Sequence, residues 1–377
     1  MRLFLRLVLF ATMLVTGCRE VPVMMDDDNP ILGDLESIPY DPQPYTLEIP
    51  DFFPDMIIPT DNPLTVEGVE LGRFLFYDPI LSADSTQACA SCHLIEGAFT
   101  DNLALSTGIQ GLEGKRSAMS LLNVGFYYSG LFWDGRSPTL EEQALHPVTD
   151  PLEMDNTWEA LEEKLRNHDL YPEMFRKAFG IKDRSDISRD YATKALASFE
   201  RTLISGGKAK YDKKFLSLEP GILYTASEFR GKDMFFDESE EGLPDAQCFH
   251  CHGGVLFTTN EYRNNGLQEA ATLNDFDDPG YGMVTGKVID NGKFRAPTLR
   301  NIALSAPYMH DGRLATLEEV IDFYNEGVHY AANLDENLVI QPLGFDEQMK
   351  QDLIAFLHTL TDTSFVSNPA FQNPFEE

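Results

Sequence analysis

Cys89-Ala-Ser-Cys92-His93 and Cys248-Phe-His-Cys251-His252 are two copies of one pattern, and they decide how this chain folds. Cys-x-x-Cys-His is typical of c-type heme attachment: two thiols form thioethers to the porphyrin, and the histidine becomes an axial iron ligand. A Cys-x-x-Cys pair also occurs in redox disulfides, and four cysteines can form one zinc site. Two copies that both end in histidine favour two covalent hemes, and therefore electron transfer or heme redox catalysis.

Length and charge limit the architecture and the partners. The chain has 377 residues, 43% of them hydrophobic and 24% charged, which is enough for two domains. Its formal net charge of −32 disfavours nucleic acid and anionic membrane surfaces as partners. The acidic surface fits the steering of a basic electron-donor protein, and it fits general solubility equally well.

The N-terminal residues have the composition of an export signal. Arg2 and Arg6 accompany an apolar run, and Thr16-Gly-Cys18 follows it, which predicts a signal peptide over residues 1–17. The segment resembles a bacterial lipoprotein signal, which predicts a lipid anchor at Cys18 and a location in the periplasm or cell envelope. An ordinary signal peptide with an incidental cysteine is the alternative. Residues 18–50, rich in aspartate and proline, are predicted to be a flexible tether.

The sequence repeats itself around the two heme motifs. We predict an internal duplication that gives an all-α fold of two cytochrome c-like heme domains, 51–218 and 219–377, with long loops. The matching blocks are Gly72–Asp78 with Gly231–Asp237, Arg116–Asn123 with Arg295–Asn301, and Asp134–Glu142 with Asp311–Glu319. Apolar residues recur at helical spacing in segments 65–77, 157–179, 189–204, 225–236, 317–326 and 346–360.

Two repeated Thr-Leu-Glu-Glu segments allow the halves to be compared residue by residue. Thr139–Glu142 and Thr316–Glu319 both fit a capping box, so each is predicted to begin a helix. The inward face of each helix follows i, i+3, i+4, i+7 spacing. That face carries Leu140, Gln143, Ala144 and Pro147 in the first half and Leu317, Val320, Ile321 and Tyr324 in the second.

Pro147 and Tyr324 therefore occupy equivalent positions but differ in chemistry, because a tyrosine can ligate iron and a proline cannot. If this face points to the distal side of each heme, Tyr324 is the sixth ligand of the iron that His252 binds. The iron of His93 then keeps an open site that peroxide can reach. The alternative is that Tyr324 is an ordinary core residue whose hydroxyl lies far from the iron.

An open iron site also needs a group that moves protons, because cleavage of a peroxide O–O bond transfers a proton between its oxygens. Glu153 and His146 both lie just beyond the helix predicted to begin at Thr139. Gln143 could hydrogen-bond a ligand of the iron. Each of these residue types is more often found at a surface or a cap, and His146 could itself ligate the iron.

Further motifs lie between and beyond the heme motifs. Phe132-Trp-Asp-Gly-Arg136, Leu140-Glu-Glu-Gln143 and Pro151-Leu-Glu-Met154 precede the second heme motif. Phe294-Arg-Ala-Pro-Thr-Leu-Arg-Asn301 and Ala306-Pro-Tyr-Met-His-Asp-Gly312 follow it. Together these segments resemble the bacterial di-heme cytochrome c peroxidases and their MauG-like relatives.

The resemblance implies roles for the matching residues. It implies that His93 is the proximal ligand of a peroxidatic heme and that His252 is the proximal ligand of an electron-transferring heme. Trp133 is implied to lie between the hemes and relay electrons. The implied distal residues are Glu153 as the acid–base group, with Gln143 and Pro147 beside it.

Two departures from the peroxidases change these implications. Methionine is the sixth ligand of their second heme, whereas the matching position here is Tyr324, as in the MauG-like branch; Met283 and Met309 are the other candidate ligands. The loop histidine that caps their peroxidatic heme corresponds to Ile109. The first heme is therefore expected to be five-coordinate when fully oxidised.

The resemblance also implies a calcium ion between the domains. Ser305 and Pro307 match its carbonyl ligands, but the asparagine ligand corresponds to Ser117. A serine hydroxyl is a weaker calcium ligand than an asparagine side chain, but one bound calcium ion is still expected.

The sequence supports three hypotheses about function. The first is a peroxidase of the cytochrome c peroxidase type that reduces hydrogen peroxide with electrons from a small c-type cytochrome or cupredoxin. The second is a MauG-like oxidase that uses peroxide to oxidise a protein or organic substrate. The third is a non-enzymatic, lipid-anchored electron carrier, which Pro147 and Glu153 disfavour because a carrier gains nothing from an open site with an acid. Members of the family that it resembles often form homodimers, and no feature of this sequence bears on that.

Overall fold

The computed structural model describes residues 33–238, 243–339 and 342–376. Helices separated by long loops make up these parts of the chain, as the sequence predicts. One antiparallel pair of two-residue strands, β1 (Tyr262–Arg263) and β2 (Phe294–Arg295), pairs Tyr262 with Arg295. The α-helices are α1 Val66–Tyr77, α2 Leu140–Gln143, α3 Leu145–Thr149, α4 Trp158–Asn167, α5 Tyr171–Phe179, α6 Arg189–Glu200, α7 Ala226–Phe235, α8 Tyr281–Thr285, α9 Leu317–Asp322 and α10 Glu347–His358.

The predicted helical segments coincide with helices of the structure, with two differences. Segment 157–179 is two helices, because His168 adopts extended backbone angles (φ −78°, ψ 148°) and ends the first of them. Segment 317–326 begins as α9 and continues into a π-helical turn, Phe323–Gly327.

The first hydrophobic core forms where α1 crosses α6. Thr65 caps α1 by accepting a 3.0 Å hydrogen bond from the Gly68 N–H, which fixes where the helix begins. Gly72 allows a close crossing, since a Cβ at this position would lie 1.9 Å from the carbonyl oxygen of Ala195. Phe76 is fully buried beside this contact, and burial of such a side chain contributes about 1.5–3 kcal/mol.

The second hydrophobic core forms in the same manner where α7 crosses α10. Thr225 caps α7 by accepting from the Glu228 N–H. A Cβ at Gly231 would lie 1.9 Å from the carbonyl oxygen of Asp352. The two glycines that the repeat aligns therefore occupy equivalent helix crossings.

A buried ion pair connects the two halves of the chain. Asp212 and Arg300 form two hydrogen bonds of 2.9 Å, and both side chains are at most 1% exposed. Removal of one partner from such a pair costs about 3–5 kcal/mol, because the other charge is left buried and unpaired. This contact anchors the segment around Asp212 to the segment that follows the second heme motif.

Contacts with both hydrophobic cores cross the predicted domain boundary at residues 218/219. Tyr211 precedes it but packs against Phe356 in the second core. Phe365 and Phe371 follow it but belong to the first core. The chain thus passes to the second core before the proline- and glycine-containing break, and its C-terminal segment returns to the first.

Residues 33–50 of the predicted tether contact the first core. Leu35 is 3% exposed, and its N–H donates to the carbonyl oxygen of Lys182 at 2.9 Å. The Tyr45 N–H likewise donates to Leu64. A few apolar anchors hold this segment against the first core despite its polar composition. The predicted signal peptide, Cys18 and the tether up to residue 32 lie outside the described residues.

Within the described ranges, every helix is too short or too polar to cross a lipid bilayer.

Candidate active site

Each heme motif lines a cavity of its own. Residues 89, 92 and 93 border about 580 Å³ of open space in the first half, and residues 248, 251 and 252 border about 1600 Å³ in the second. Because the cysteine pairs lie in separate cavities, the alternative of a single four-cysteine zinc site is wrong. None of the four thiols forms a disulfide. Both pairs can therefore react with a porphyrin.

The two motif histidines are oriented in the same way. The Nδ1 of His93 lies 2.8 Å from the carbonyl oxygen of Phe99, and the Nδ1 of His252 lies 3.0 Å from that of Pro297. A carbonyl can only accept, so each Nδ1 carries the proton and each Nε2 presents a lone pair to the cavity. Burial lowers the pKa of both imidazoles, that of His252 to about 4, so both are neutral at neutral pH.

These residues fit a c-type heme in each cavity. Two thiols and a neutral imidazole with a free Nε2 converge at one wall, and cavities of this size hold a large ligand. When bound, the heme supplies the redox chemistry and the iron position at which a small oxidant can bind. The protein supplies the axial ligand, the opposite wall and the groups that move protons.

The opposite wall of each cavity is built by the predicted helices. Thr139 and Thr316 cap α2 and α9 with the same backbone angles, φ −132° and ψ 162°. Each threonine hydroxyl accepts from the backbone N–H three residues later, at 3.2 Å. The side chains that then line the two cavities are Gln143, Ala144 and Pro147 in the first and Leu317, Val320, Ile321 and Tyr324 in the second. Leu140, the first residue of the predicted face in the first half, is buried in the first core but does not line the cavity.

Glu153 brings a carboxyl group into the first cavity. The turn that carries it is held by a hydrogen bond from its N–H to the Asp150 carbonyl, and its own carbonyl accepts from the Ile109 N–H at 2.9 Å. Burial raises the pKa of Glu153 to about 7, with a further upward contribution from Asp150 and a downward one from Arg136. Such a carboxyl can accept and release a proton near neutral pH.

Two alternative iron ligands lie outside the cavities. His146 is exposed and does not line the first cavity, whose described lining contains a single imidazole, that of His93. Met283 is 71% exposed and does not line the second cavity. Met309, the other methionine considered, does line it.

Glu200 is a residue of the first cavity that the sequence analysis missed. It is 6% exposed, and its Oε2 has no hydrogen-bond partner in the described structure. Burial raises the pKa of this carboxyl to about 8. Glu200 follows Leu196 by one helical turn, and both line the cavity. The spacing of four residues between the apolar Leu196 and Glu200 is the sequence feature that places both on one face of the helix.

Tyr324 lies in the second cavity, and Asn265 is its neighbour there. The Asn265 Nδ2 lies 3.3 Å from the Tyr324 hydroxyl oxygen and 3.4 Å from the Met309 sulfur. Burial raises the pKa of Tyr324, while the hydrogen bond from Asn265 acts in the opposite direction. Tyr324 and Met309 therefore both face the cavity that contains His252.

Trp133 belongs to the first half of the sequence but lines the second cavity. Its Nε1 donates to the carbonyl oxygen of Ser117 at 2.9 Å, and its own carbonyl accepts from the Arg295 N–H at 2.9 Å. The indole is thus fixed where segments from both halves meet.

The residues implied for calcium binding come together on one wall. Ser117, Ser305 and Pro307 all line the second cavity. The Ser117 hydroxyl donates to the Met309 carbonyl at 3.0 Å. The predicted donor set is neutral, and calcium usually takes six to eight oxygens that include carboxylates. These residues therefore fit calcium poorly.

Comparisons with known proteins agree with this geometry. A family profile described as di-haem cytochrome c peroxidase matches residues 66–218. The methylamine utilization protein MauG of Methylorubrum extorquens is 34% identical, over 80% of this chain and 80% of its own length. This chain belongs to the di-heme cytochrome c peroxidase family. The cytochrome-c peroxidase IdrP1 of Denitromonas iodatirespirans is 32% identical, over 82% of this chain and 85% of that protein.

A solved structure gives the same result for the fold. A MauG-like protein associated with microbial copper homeostasis superimposes with a TM-score of 0.79 and 35% identity, covering 88% of this chain and 99% of its own. Membership of the family makes this protein an oxidoreductase of the di-heme peroxidase type with two c-type hemes.

Proposed function

We propose that this protein reduces hydrogen peroxide at the heme of His93 and that electrons reach this heme through the heme of His252. The difference between two equivalent cavity walls carries the proposal. Pro147 offers no iron-ligating atom to the first cavity, whereas Tyr324 offers a phenol oxygen to the second. One iron is thereby left accessible to a small oxidant, and the other is saturated for electron transfer.

The first cavity also holds the protonation chemistry that peroxide reduction needs. In the proposal, Glu153 accepts a proton from the bound peroxide and returns it to the leaving oxygen. Its pKa of about 7 suits both steps. Gln143, on the same wall, orients the peroxide by hydrogen bonding. At the position equivalent to Gln143, the second cavity has Val320, whose side chain cannot form a hydrogen bond.

Trp133 is the proposed relay between the two hemes. Its indole lines the second cavity, and the chain runs from it directly into the Thr139 cap and the distal wall of the first cavity. An aromatic ring held by hydrogen bonds at this position shortens the path for an electron between two porphyrins.

A second function, oxidation of a protein or organic substrate by peroxide, is favoured by two observations. Tyr324 faces the second cavity, and a phenolate ligand stabilises ferric iron and lowers its potential. Ile109 replaces a capping histidine, so the first iron needs no prior reduction to become accessible. Both features match the MauG-like branch better than the peroxidases.

Rapid mixing of the fully oxidised holoprotein with hydrogen peroxide tests the proposal, with and without prior one-electron reduction. A fast change in heme absorption without reduction supports the accessible first heme. Steady-state turnover with a reduced c-type cytochrome or cupredoxin then separates the two functions. Rapid turnover supports peroxide reduction, whereas a fast peroxide reaction without donor turnover supports the oxidase. No reaction in either redox state contradicts both.

We propose that the chain is an internal duplication, which the equivalent glycine crossings and threonine caps support.

We propose export to the periplasm with lipid attachment at Cys18, supported by the signal-like sequence of residues 1–17. Replacement of Cys18 by alanine should move the protein from the membrane fraction to the soluble fraction. Calcium binding stays a prediction. Dimer formation also stays a prediction, and light scattering tests it.

A further inference from the structure

Asn265 lies between two side chains that can each ligate the second iron. Its Nδ2 is 3.3 Å from the Tyr324 oxygen and 3.4 Å from the Met309 sulfur, and all three side chains line the cavity of His252. The amide nitrogen carries two N–H bonds, so it can donate one to the oxygen of Tyr324 and the other to the sulfur of Met309.

The orientation of this amide is determined by the backbone. The Oδ1 of Asn265 accepts from the N–H of Leu267 at 3.3 Å, so the oxygen end is engaged and the NH₂ end faces the two candidate ligands. The Ser117 hydroxyl holds the carbonyl of Met309, so the segment that carries the sulfur is also fixed. The three groups meet without any movement of the backbone.

The two N–H contacts differ in strength between the two candidate ligands. A phenolate oxygen carries a negative charge, and a hydrogen bond to it is charge-assisted and therefore strong. A thioether sulfur is only a weak acceptor and keeps a second lone pair free, so the N–H beside it stabilises Met309 much less than it stabilises a phenolate. The amide therefore favours Tyr324 over Met309 as the ligand.

We propose that Asn265 is a positioning residue that selects Tyr324 over Met309 as the sixth ligand of the second iron. The proposal rests on the ligation of that iron by His252 and Tyr324 in the proposed function. Because phenolate and thioether ligands place heme potentials far apart, this one amide determines how readily the second heme releases an electron.

Asn265→Ala and Asn265→Asp test the proposal, with the exposed Asn274→Ala as the matched control. The aspartate keeps the acceptor for the Leu267 N–H but lacks both donors. Heme content is measured first, and then the absorption and EPR spectra of the ferric protein and the potentials of both hemes by titration. We expect both Asn265 variants to gain the spectral signature of methionine ligation and to raise the potential of the second heme alone. The Asn274→Ala protein should match the wild type.

Met309→Leu distinguishes a change of the sixth ligand from a change in potential with the ligand unchanged. Alone it should keep the spectrum of tyrosine ligation, but in the Asn265→Ala background it should abolish the methionine signature. An Asn265→Ala protein with wild-type spectra and potentials refutes the proposal, as does a potential shift that Met309→Leu does not alter.

Tyr324→Phe distinguishes failure of this inference from failure of the proposed function. If Tyr324→Phe leaves the ferric spectrum unchanged, the tyrosine ligation assumed in the proposed function is wrong. If Tyr324→Phe changes the spectrum while the Asn265 variants do not, the ligation stands and only the role of Asn265 is refuted.

Discussion

Replacement of Glu153 by glutamine is the most direct test of the first cavity. Glutamine keeps the size of the side chain and its place beside Gln143, but it cannot take a proton from peroxide. The hydrogen bonds that hold this turn involve the backbone of Glu153 rather than its carboxyl group. The variant should therefore fold and bind heme normally.

The expected loss follows from the role of the carboxyl group. A positioned general acid or base contributes about 10²- to 10⁴-fold to a rate, and the peroxide reaction of Glu153→Gln should slow by this factor. The wild-type rate should also depend on pH, since burial holds the pKa of Glu153 at about 7. The ionised, proton-accepting fraction is about one-tenth at pH 6 and about nine-tenths at pH 8. The rate should rise accordingly across this range, and the variant should show no such rise.

Stopped-flow absorption of the oxidised holoprotein with excess peroxide measures both effects. Glu163→Gln, which makes the same replacement on the exposed face of α4, is the matched control and should react like the wild type. Heme content and reduced spectra should be equal in all three proteins. A Glu153→Gln variant that reacts at the wild-type rate, or that keeps the pH dependence, would refute the assignment of Glu153.

Three further predictions concern the surroundings of this cavity. Asp150→Asn removes a charge that raises the pKa of Glu153, so the midpoint of the pH profile should fall in the same stopped-flow assay; a rise would contradict the electrostatic argument. Arg201→Met leaves the carboxylate of Glu141 without its bidentate partner, and unfolding in guanidinium chloride should show a loss of about 3–5 kcal/mol. Gly72→Ala places a Cβ 1.9 Å from a backbone carbonyl, and the same measurement should show a loss of about 1–3 kcal/mol. Wild-type stability in either protein would count against the packing described above.

The distal walls could be predicted from the sequence because local rules determine them. A threonine cap fixes the first residue of each helix, and helical spacing then fixes which side chains share a face. Gln143 and Tyr324 were placed in this way without knowledge of the tertiary structure. Glu153 needed the family resemblance, since it follows a turn with no periodic pattern.

Residues that depend on tertiary contacts could not be predicted. Asn265 lies in a loop and meets Tyr324 and Met309 only after the second half has folded. In the sequence, Glu200 is an ordinary polar residue at the end of a helix. Its burial depends on the packing of α6 against the cavity. Leu35 is one apolar residue in a polar segment, and its burial against the first core was not visible in composition.

The accessibility of the first iron depends on a break in the helix as well as on the choice of proline. Helix α2 ends at Gln143 and α3 begins at Leu145, so Pro147 lies in the first turn of α3. Backbone N–H groups in the first turn of a helix have no partner within the helix, so a proline costs nothing there, whereas in the interior of a continuous helix it costs about 3 kcal/mol. In the second half the helix continues without such a break into the π-helical turn that carries Tyr324. The interruption after Gln143 and the proline at 147 therefore belong together, because Pro147 has no N–H to donate to the Gln143 carbonyl. The first cavity thus receives a residue without a ligating atom at the position where the second cavity receives Tyr324.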